Sequence, residues 1–405
     1  MKLVRLLVFL ALLPNLPAAA EALPGFKPEL LGSVPGFATS IVADSTGTLY
    51  YTTSSGGIFR LTNGQSARVA TLPTHAAGDS GLLGMALIDD RTAVVHYTTP
   101  EITYDVISKV DLVTGSETVL ERYACDIEVP SRPASAEHHG GNPIVAPDGS
   151  IFIPIGEYGG GAIAAKPEWN GGKIHRILPD GTATKFARGL RNPFDVAWDA
   201  ARQRLIVADN GPINGDELNI VAEGDYCGWP FTVGDDPPVD GALAPAYVFP
   251  DVVAPTGIVL LNGANPTLRS GLLLGAFIAK AIFYFPDINR TPIPDPIALI
   301  QRETGFVIDV TQTASGAIYF TTGTAIYALR VPAPGDCNGD GLVNASDFRA
   351  LASEASEGPH VTTTAQNGAY RGSWGCDANA DGVIDSADAV SLAQLTSPRP
   401  RPARH

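Results

Sequence analysis

Residues 189–230, GLRNPFDVAWDAARQRLIVADNGPINGDELNIVAEGDYCGWP, gather a cation, a tight turn and several carboxylates around one apolar run. Pro193 fixes its own φ and biases Asn192 toward extended backbone, so Arg191 and Asn192 are presented from a defined loop. The run RLIVAD, 204–209, reads as a strand. Gly211-Pro212 then forces a sharp turn whose carbonyls are not committed to a sheet, and Asp216 and Glu217 follow. Carbonyl and carboxylate oxygens grouped in this way suit a hard cation such as Ca2+.

The same pattern, an alternating apolar run, a small polar turn and a second alternating run, occurs six times. The copies are FATSIVADSTGTLYYTTSSGGIFRL (37–61), LLGMALIDDRTAVVHYTT (82–99), NPIVAPDGSIFIPIGE (142–157), the stretch from Asn192 to Gly211, PTGIVLLNGANPTLRSGLLLGAF (255–277) and FVIDVTQTASGAIYFTTGTAIYAL (306–329). A repeat of roughly fifty residues built of short strands predicts a β-propeller blade. The expected fold is therefore an all-β six-bladed propeller over 24–331. A two-sheet sandwich is the alternative, but ~300 residues exceed what one sandwich usually holds. Loops at one end of the central channel are where a propeller builds its site.

The 405-residue chain is 45% hydrophobic and 17% charged, with a net charge of -15. That balance argues for a folded protein and against a nucleic-acid partner, which needs a basic surface. Residues 1–20, MKLVRLLVFLALLPNLPAAA, read as a signal peptide, so the expected location is secreted or extracytoplasmic, at the periplasm or cell surface. No later apolar run reaches the ~20 residues that span a bilayer. Four cysteines in an oxidising compartment suggest two disulfides, Cys125 with Cys227 and Cys337 with Cys376, with buried free thiols as the alternative. Prolines at 331–336 mark a linker, 332–335, before a small acidic module at 336–395, and the Pro- and Arg-rich end, 396–405, reads as a disordered tail.

In DCNGDGLVNASD, Asp336, Asn338, Asp340, Gly341, Asn344 and Asp347 occupy positions 1, 3, 5, 6, 9 and 12. In DANADGVIDSAD, Asp377, Asn379, Asp381, Gly382, Asp385 and Asp388 repeat them. Side-chain oxygens at alternate positions, a glycine for the turn and a carboxylate from the following helix form an EF-hand-like Ca2+ loop. Leu342 and Val383 would add backbone carbonyls at position 7. Two such loops, each followed by an apolar helical stretch, predict two bound Ca2+ ions. The pair resembles a dockerin domain, which implies a cohesin partner; Ala345-Ser346 and Ser386-Ala387 only partly match the usual recognition pairs, and the insert HVTTTAQNGAYRGSW is longer than usual.

GDSGLLGMAL (78–87), EHHGGNPIVAPDGSIFIPIGE (137–157), NGGKIHRILPDG (170–181), GLRNP (189–193), APTGIVL (254–260) and GAIYFTT (316–322) together resemble the glucose/sorbosone dehydrogenase family. That resemblance implies a soluble propeller that oxidises a sugar or polyol with pyrroloquinoline quinone (PQQ) and Ca2+. By position it implies His138 as general base, Glu137 and Asp79 on the substrate side, Arg191 and Asn192 against the quinone, and Gly211 and Pro212 as carbonyl ligands of the calcium. Asp79 stands where the family has glutamine. The family holds the quinone's three carboxylates with a lysine in the fifth blade and an Arg-x-Arg in the sixth. Here Lys280 lies about two residues from the expected place, and Phe306 and Ile308 replace both arginines.

Three functions follow as expectations. One is a sugar or polyol dehydrogenase tethered by its calcium module. Another is a propeller without redox chemistry that binds carbohydrate or protein. The third is a calcium-dependent hydrolase acting on lactones with the carboxylates around Asp216 and a metal-activated water. His75 and His175 lack a supporting constellation and are expected to be structural.

Overall fold

A computed structural model describes residues 23, 25–125, 135–356, 358–361 and 374–397, apart from the side chains of residues 162, 163, 360 and 361. The expected signal peptide, most of the long insert and the end of the tail lie outside the described residues. Six four-stranded antiparallel sheets form the propeller. Their innermost strands are Ala38–Ala43, Leu82–Leu87, Ile144–Val145, Pro193–Asp199, Pro255–Leu260 and Val307–Gln312, in blades one to six. Each of the six sequence repeats supplies strands of its own blade.

The ring is closed by a strand outside those repeats. Lys27–Ser33 pairs antiparallel with Ala325–Arg330, Lys27 opposite Arg330 and Ser33 opposite Ala325, and so becomes the outer strand of blade six. Strands from opposite ends of the propeller region share one sheet, which ties the start of the chain to the last blade.

Apolar side chains fill the spaces between adjacent sheets. Ile206 and Leu218 of blade four, for example, share a core with Leu272, Leu274 and Phe285 of blade five. Polar links near the channel tie each blade to the next. Thr39 Oγ1 donates to the Leu82 carbonyl (2.7 Å) and His96 Nδ1 to the Gly141 carbonyl (2.9 Å). The Asn142 amide donates to the Phe194 carbonyl (2.9 Å), and the Ile258 amide to Asp195 (2.7 Å). Thr256 Oγ1 donates to the Val307 carbonyl (3.0 Å), and the Ile41 amide to Asp309 (2.7 Å) across the seam. These bonds use backbone groups that a curved, buried ring would otherwise leave unpaired.

Five of the six inner strands carry a register shift near the channel mouth, at 38/40, 82/84, 193/195, 255/258 and 307/309. A β-bulge leaves a residue unpaired and re-aims its side chain. Thr39, Leu83, Phe194, Thr256 and Ile308, which fall within these shifts, all line one cavity. A strict two-residue alternation does not place them there.

The C-terminal module contains helices α1 (Asp347–Ala355) and α2 (Ser386–Thr396), packed through Ala350, Leu351, Ile384 and Leu392. The expected Cys337–Cys376 disulfide is present. The expected Cys125–Cys227 disulfide is not, since both are buried free thiols. Cys125 packs in the core between blades two and three, Cys227 in the core between blades three and four, and the sheet of blade three stands between them.

The expected linker is held at both ends. The Pro332 carbonyl accepts a bond from Thr267 (2.6 Å), and the Gly335 amide donates to the Gly375 carbonyl (2.7 Å). Trp374 inserts edge-on between Phe26 and Tyr284, with ring centroids 5.7 and 5.5 Å away. Among the described residues, no helix is long and apolar enough to cross a membrane.

Candidate active site and calcium loops

The bulged residues surround a cavity of about 410 Å3 at the channel mouth, which also admits Asp79, His138, Gly140, Arg191, Asn192, Gly211 and Asp216. His138 sits at φ 56°, the left-handed region, as the chain turns into blade three. Its amide donates to Asp79 (3.3 Å), and its Nδ1 lies 2.8 Å from Glu157 Oε1. Glu157 is 3% exposed and also accepts the Gly161 amide. The carboxylate accepts a hydrogen bond from Nδ1–H, so in the neutral ring Nε2 carries the lone pair. A base oriented from behind by a carboxylate is the outcome.

The glycines after His138-His139 have a steric cause. A Cβ on Gly140 would lie 2.3 Å from the Pro154 carbonyl oxygen, and one on Gly141 would lie 1.8 Å from the Phe194 carbonyl oxygen. Blades three and four meet too closely at the mouth for any side chain there.

Asp209 organises the opposite wall, accepting the amides of Arg191 (3.0 Å) and Asn192 (2.7 Å). Burial, reinforced by the charge of Glu217, pushes its carboxyl up to about 8 despite those two bonds. Asn192 Oδ1 accepts the Gly140 amide (3.1 Å), locking this loop to the His138 loop. Arg191 Nη1 donates to the carbonyls of Asn210 (2.9 Å) and Gly211 (2.8 Å), with its guanidinium 5.6 Å from the Trp229 ring centroid.

Asp216 accepts the amides of Gly211, Val253 and Ala254, and Glu217 accepts the Gly234 amide. Burial raises both above the usual carboxylate range. These two acids fasten the turn beneath the cavity. The turn carbonyls, free in a local reading, are engaged: Gly211 with Arg191 and Pro212 with the Gly215 amide (3.0 Å).

Three residues expected at the site do not line it: Pro212, Glu137 and Lys280. Glu137 is exposed and does not line the cavity. Lys280 also lies off the lining, with its ammonium 5.0 Å from the centroid of Phe306. Phe306 in turn stacks on Phe277 at 4.2 Å between centroids, so an aromatic pair forms the rim near Lys280. Glu157, by contrast, ends a recognised motif and gains its role only when the chain folds back on His138. His75 bonds Ser80 (2.7 Å) and His175 bonds the Asn170 carbonyl (2.8 Å), and burial pulls His175 down to about 3.

The donors at this mouth fit one edge of PQQ. Arg191, Asn192 and the Gly211 carbonyl could face quinone oxygens and a calcium ion. They do not fit the three carboxylates. Among the described lining residues Arg191 is the sole lysine or arginine, its Nη1 is already shared by two carbonyls, and Asp79 and Asp216 share the cavity. Burying carboxylates beside an apolar wall of Phe277, Ile278 and Ile308 costs several kcal/mol for each one left unpaired.

A glucose/sorbosone dehydrogenase family model matches residues 35–328. The chain belongs to the glucose/sorbosone dehydrogenase family. A dockerin type I model matches residues 334–395, so the propeller is followed by a dockerin domain. Quinoprotein glucose dehydrogenase B of Acinetobacter calcoaceticus is 26% identical over 209 residues, 41% of this chain and 43% of that protein. Aldose sugar dehydrogenase YliI of Escherichia coli is 24% identical over 216 residues, 47% of this chain and 58% of that protein. The chain thus spans about half the length of the curated relatives it matches. The PQQ-bound aldose sugar dehydrogenase of Streptomyces coelicolor superposes with a TM-score of 0.66 at 22% identity, covering 77% of this chain and 99% of that one. At that identity the likeness shows the six-bladed fold.

The dockerin loops repeat one hydrogen-bond scheme. Asp347 accepts the amides of Asn338 (3.1 Å) and Asn344 (2.8 Å), and Asp388 those of Asn379 (3.1 Å) and Asp385 (2.9 Å). Asp340 and Asp381 accept the amides two residues on, those of Leu342 and Val383. Asp336 and Asp377 accept the amides of Gly341 and Gly382, which sit at φ 91° and 93°. Burial pushes Asp336 up, and the charges of Asp347 and Asp340 add to the effect. Such crowded oxygens fit a calcium ion, which supplies the missing positive charge.

Proposed function

We propose that the propeller acts on a hydroxyl group of a sugar or polyol, with His138 as the base and Glu157 as the carboxylate that orients it. The observation carrying this reading is the 2.8 Å contact between His138 Nδ1 and Glu157 at the wall of the cavity. His138 Nε2 takes the hydroxyl proton, and Glu157 stabilises the imidazolium that results. Arg191, aimed by two carbonyls, offers positive charge to a substrate oxygen as it loses the proton. Because the carboxylates of PQQ do not fit this cavity, no hydride transfer is derived through it, and only the proton transfer is assigned to this chain's residues.

We further propose that the protein is extracytoplasmic, that each dockerin loop binds one Ca2+, and that the folded module docks on a cohesin-type partner. Tandem loops with one repeated bonding scheme support this. The test of the propeller is dye reduction by purified protein with PQQ, Ca2+ and a panel of aldoses and polyols. Turnover that disappears in His138→Ala with the fold intact is expected. Sugar binding without turnover, unchanged in His138→Ala, would instead establish a second reading, a propeller that binds carbohydrate without oxidising it. Ile308, Phe306 and Phe277 at the altered wall favour that reading. Absence of both turnover and binding overturns the two together.

A further inference from the structure

A second group of chemically capable side chains lies away from the cavity, between blades two and three. Asp105 is on the third strand of blade two (Tyr104–Asp111), His96 on its second (Thr92–Thr98), Cys125 directly follows its fourth, and His139 comes from the loop entering blade three. Asp105, His96 and His139 are fully buried and Cys125 is 3% exposed. A carboxylate oxygen of Asp105, the Cys125 sulfur and a ring nitrogen of His139 lie within 4.8 Å of one another.

We propose that Asp105, Cys125, His139 and His96 form a buried site for one divalent transition ion of the Zn2+ type. Tetrahedral Zn2+, with bonds of about 2.0–2.1 Å to nitrogen and oxygen and about 2.3 Å to sulfur, places its ligand atoms roughly 3.3–3.7 Å apart. His139 Nδ1 stands 3.0 and 3.1 Å from the two Asp105 oxygens, and His96 Nε2 stands 3.7 Å from one of them. Asp105, Cys125 and His139 form the compact group, and His96 joins it through its approach to Asp105.

The outer bonds give independent support. His139 Nε2 is 2.7 Å from the Ser135 carbonyl and His96 Nδ1 is 2.9 Å from the Gly141 carbonyl. A carbonyl only accepts, so each far nitrogen carries its proton; His96 Nε2 then presents a lone pair toward Asp105, while His139 Nδ1 donates to the carboxylate and releases that proton to solvent when an ion takes its place. Metal-bound histidines are held in this way. His96 Nε2 is completely buried and makes no hydrogen bond, so one lone pair aimed at the cluster has no partner. Thr98 Oγ1 donates to Asp105 at 2.7 Å and sets the carboxylate.

Charge and softness also match. One thiolate and one carboxylate neutralise a divalent ion, which a dry interior requires, and the sulfur with two imidazoles selects Zn2+ or Co2+ over Ca2+. The competing arrangement is a buried His139–Asp105 ion pair with a proton as its only cation. It leaves His96 Nε2 bare and the Cys125 thiol donating to the Tyr123 carbonyl, at 3.9 Å.

Because burial closes the site, the ion enters during folding. The full chain is therefore expressed with Co2+, dialysed against Ca2+ and a chelator, and examined by elemental analysis and absorption. One retained Co2+ per chain with a near-ultraviolet thiolate-to-cobalt band is expected, lost in Cys125→Ser and kept in Cys227→Ser. Should Cys125→Ser fail to fold, Zn2+-loaded wild type is treated with an organomercurial, and release of one Zn2+ on modification of its thiols is expected. No retained ion, a cobalt spectrum without the thiolate band, or a band that persists in Cys125→Ser overturns the assignment and leaves the ion pair.

Discussion

Replacing Ile308 by arginine tests whether the altered wall alone prevents tight quinone binding. Ile308 falls within the bulge of the blade-six inner strand, is 2% exposed, and lines the 410 Å3 cavity that also holds Arg191. A side chain at this position therefore points at the ligand space rather than into the sheet. Each charge-assisted hydrogen bond to a carboxylate contributes about 1.5–3 kcal/mol, and 1.4 kcal/mol is a factor of ten. The guanidinium must give up water to enter beside Phe277 and Ile278, which offsets part of that gain. A roughly tenfold to hundredfold fall in the dissociation constant for PQQ is the expected result, read by quenching of tryptophan fluorescence in the presence of Ca2+. Phe306→Arg alone should do less, because Phe306 is 40% exposed at the rim. An Ile308→Arg protein that keeps its melting temperature and binds PQQ no more tightly than wild type would refute the reasoning.

Glu157→Gln should lower any His138-dependent turnover at least tenfold with little change in KM, and His138→Ala should lower it by about 10²–10⁴; equal activity of Glu157→Gln and wild type across pH would contradict the dyad. The buried carboxyls Asp195 and Asp309 give a pH test. Burial raises both, Asp309 to about 7 and Asp195 well above the usual carboxylate range, where the charge of Asp309 adds to the effect. An acid raised in the folded state holds its proton more tightly there than in the unfolded chain, so stability is lost as pH climbs from about 4 through the folded value. The stability advantage of wild type over Asp309→Asn in urea should thus narrow between pH 5 and 8, and widening would count against it. Chelation of Ca2+ should lower the melting temperature of the dockerin module, a shift abolished by Asp336→Ala with Asp377→Ala. Thiol titration should find two reactive thiols on unfolding without reductant, those of Cys125 and Cys227; four would exclude the Cys337–Cys376 disulfide.

Much of the fold was legible because it is written in short-range pattern. Alternation over five or six residues marks a strand, and the turn residues between Gly47 and Gly316 punctuate each hairpin locally. The calcium loops are more local still, since twelve consecutive residues carry the ligand set and both glycines with left-handed backbone. The His138 and Arg191 loops were legible for a different reason, their likeness to a known family. Lys27–Ser33 was not, because its partner strand is three hundred residues away in sequence by rough count and nothing nearby marks it as the last blade's edge.

Sequence alone determined the six repeats and the acidic C-terminal loops, and it shows apolar Phe306 and Ile308 where the family resemblance implies arginines. Tertiary structure decided which residues meet. Bulges, absent from any two-residue period, turned Thr39, Leu83, Phe194, Thr256 and Ile308 into the cavity. Packing of blades separated Cys125 from Cys227, left Glu137 in solvent and drew Lys280 onto Phe306. It also carried Glu157 to His138 and His96 toward Asp105, contacts spanning 19 residues in one case and two neighbouring strands in the other. Strand and loop type follow from local backbone preference and hydrophobic period, whereas a site is a set of distances between segments, fixed only when the ring closes.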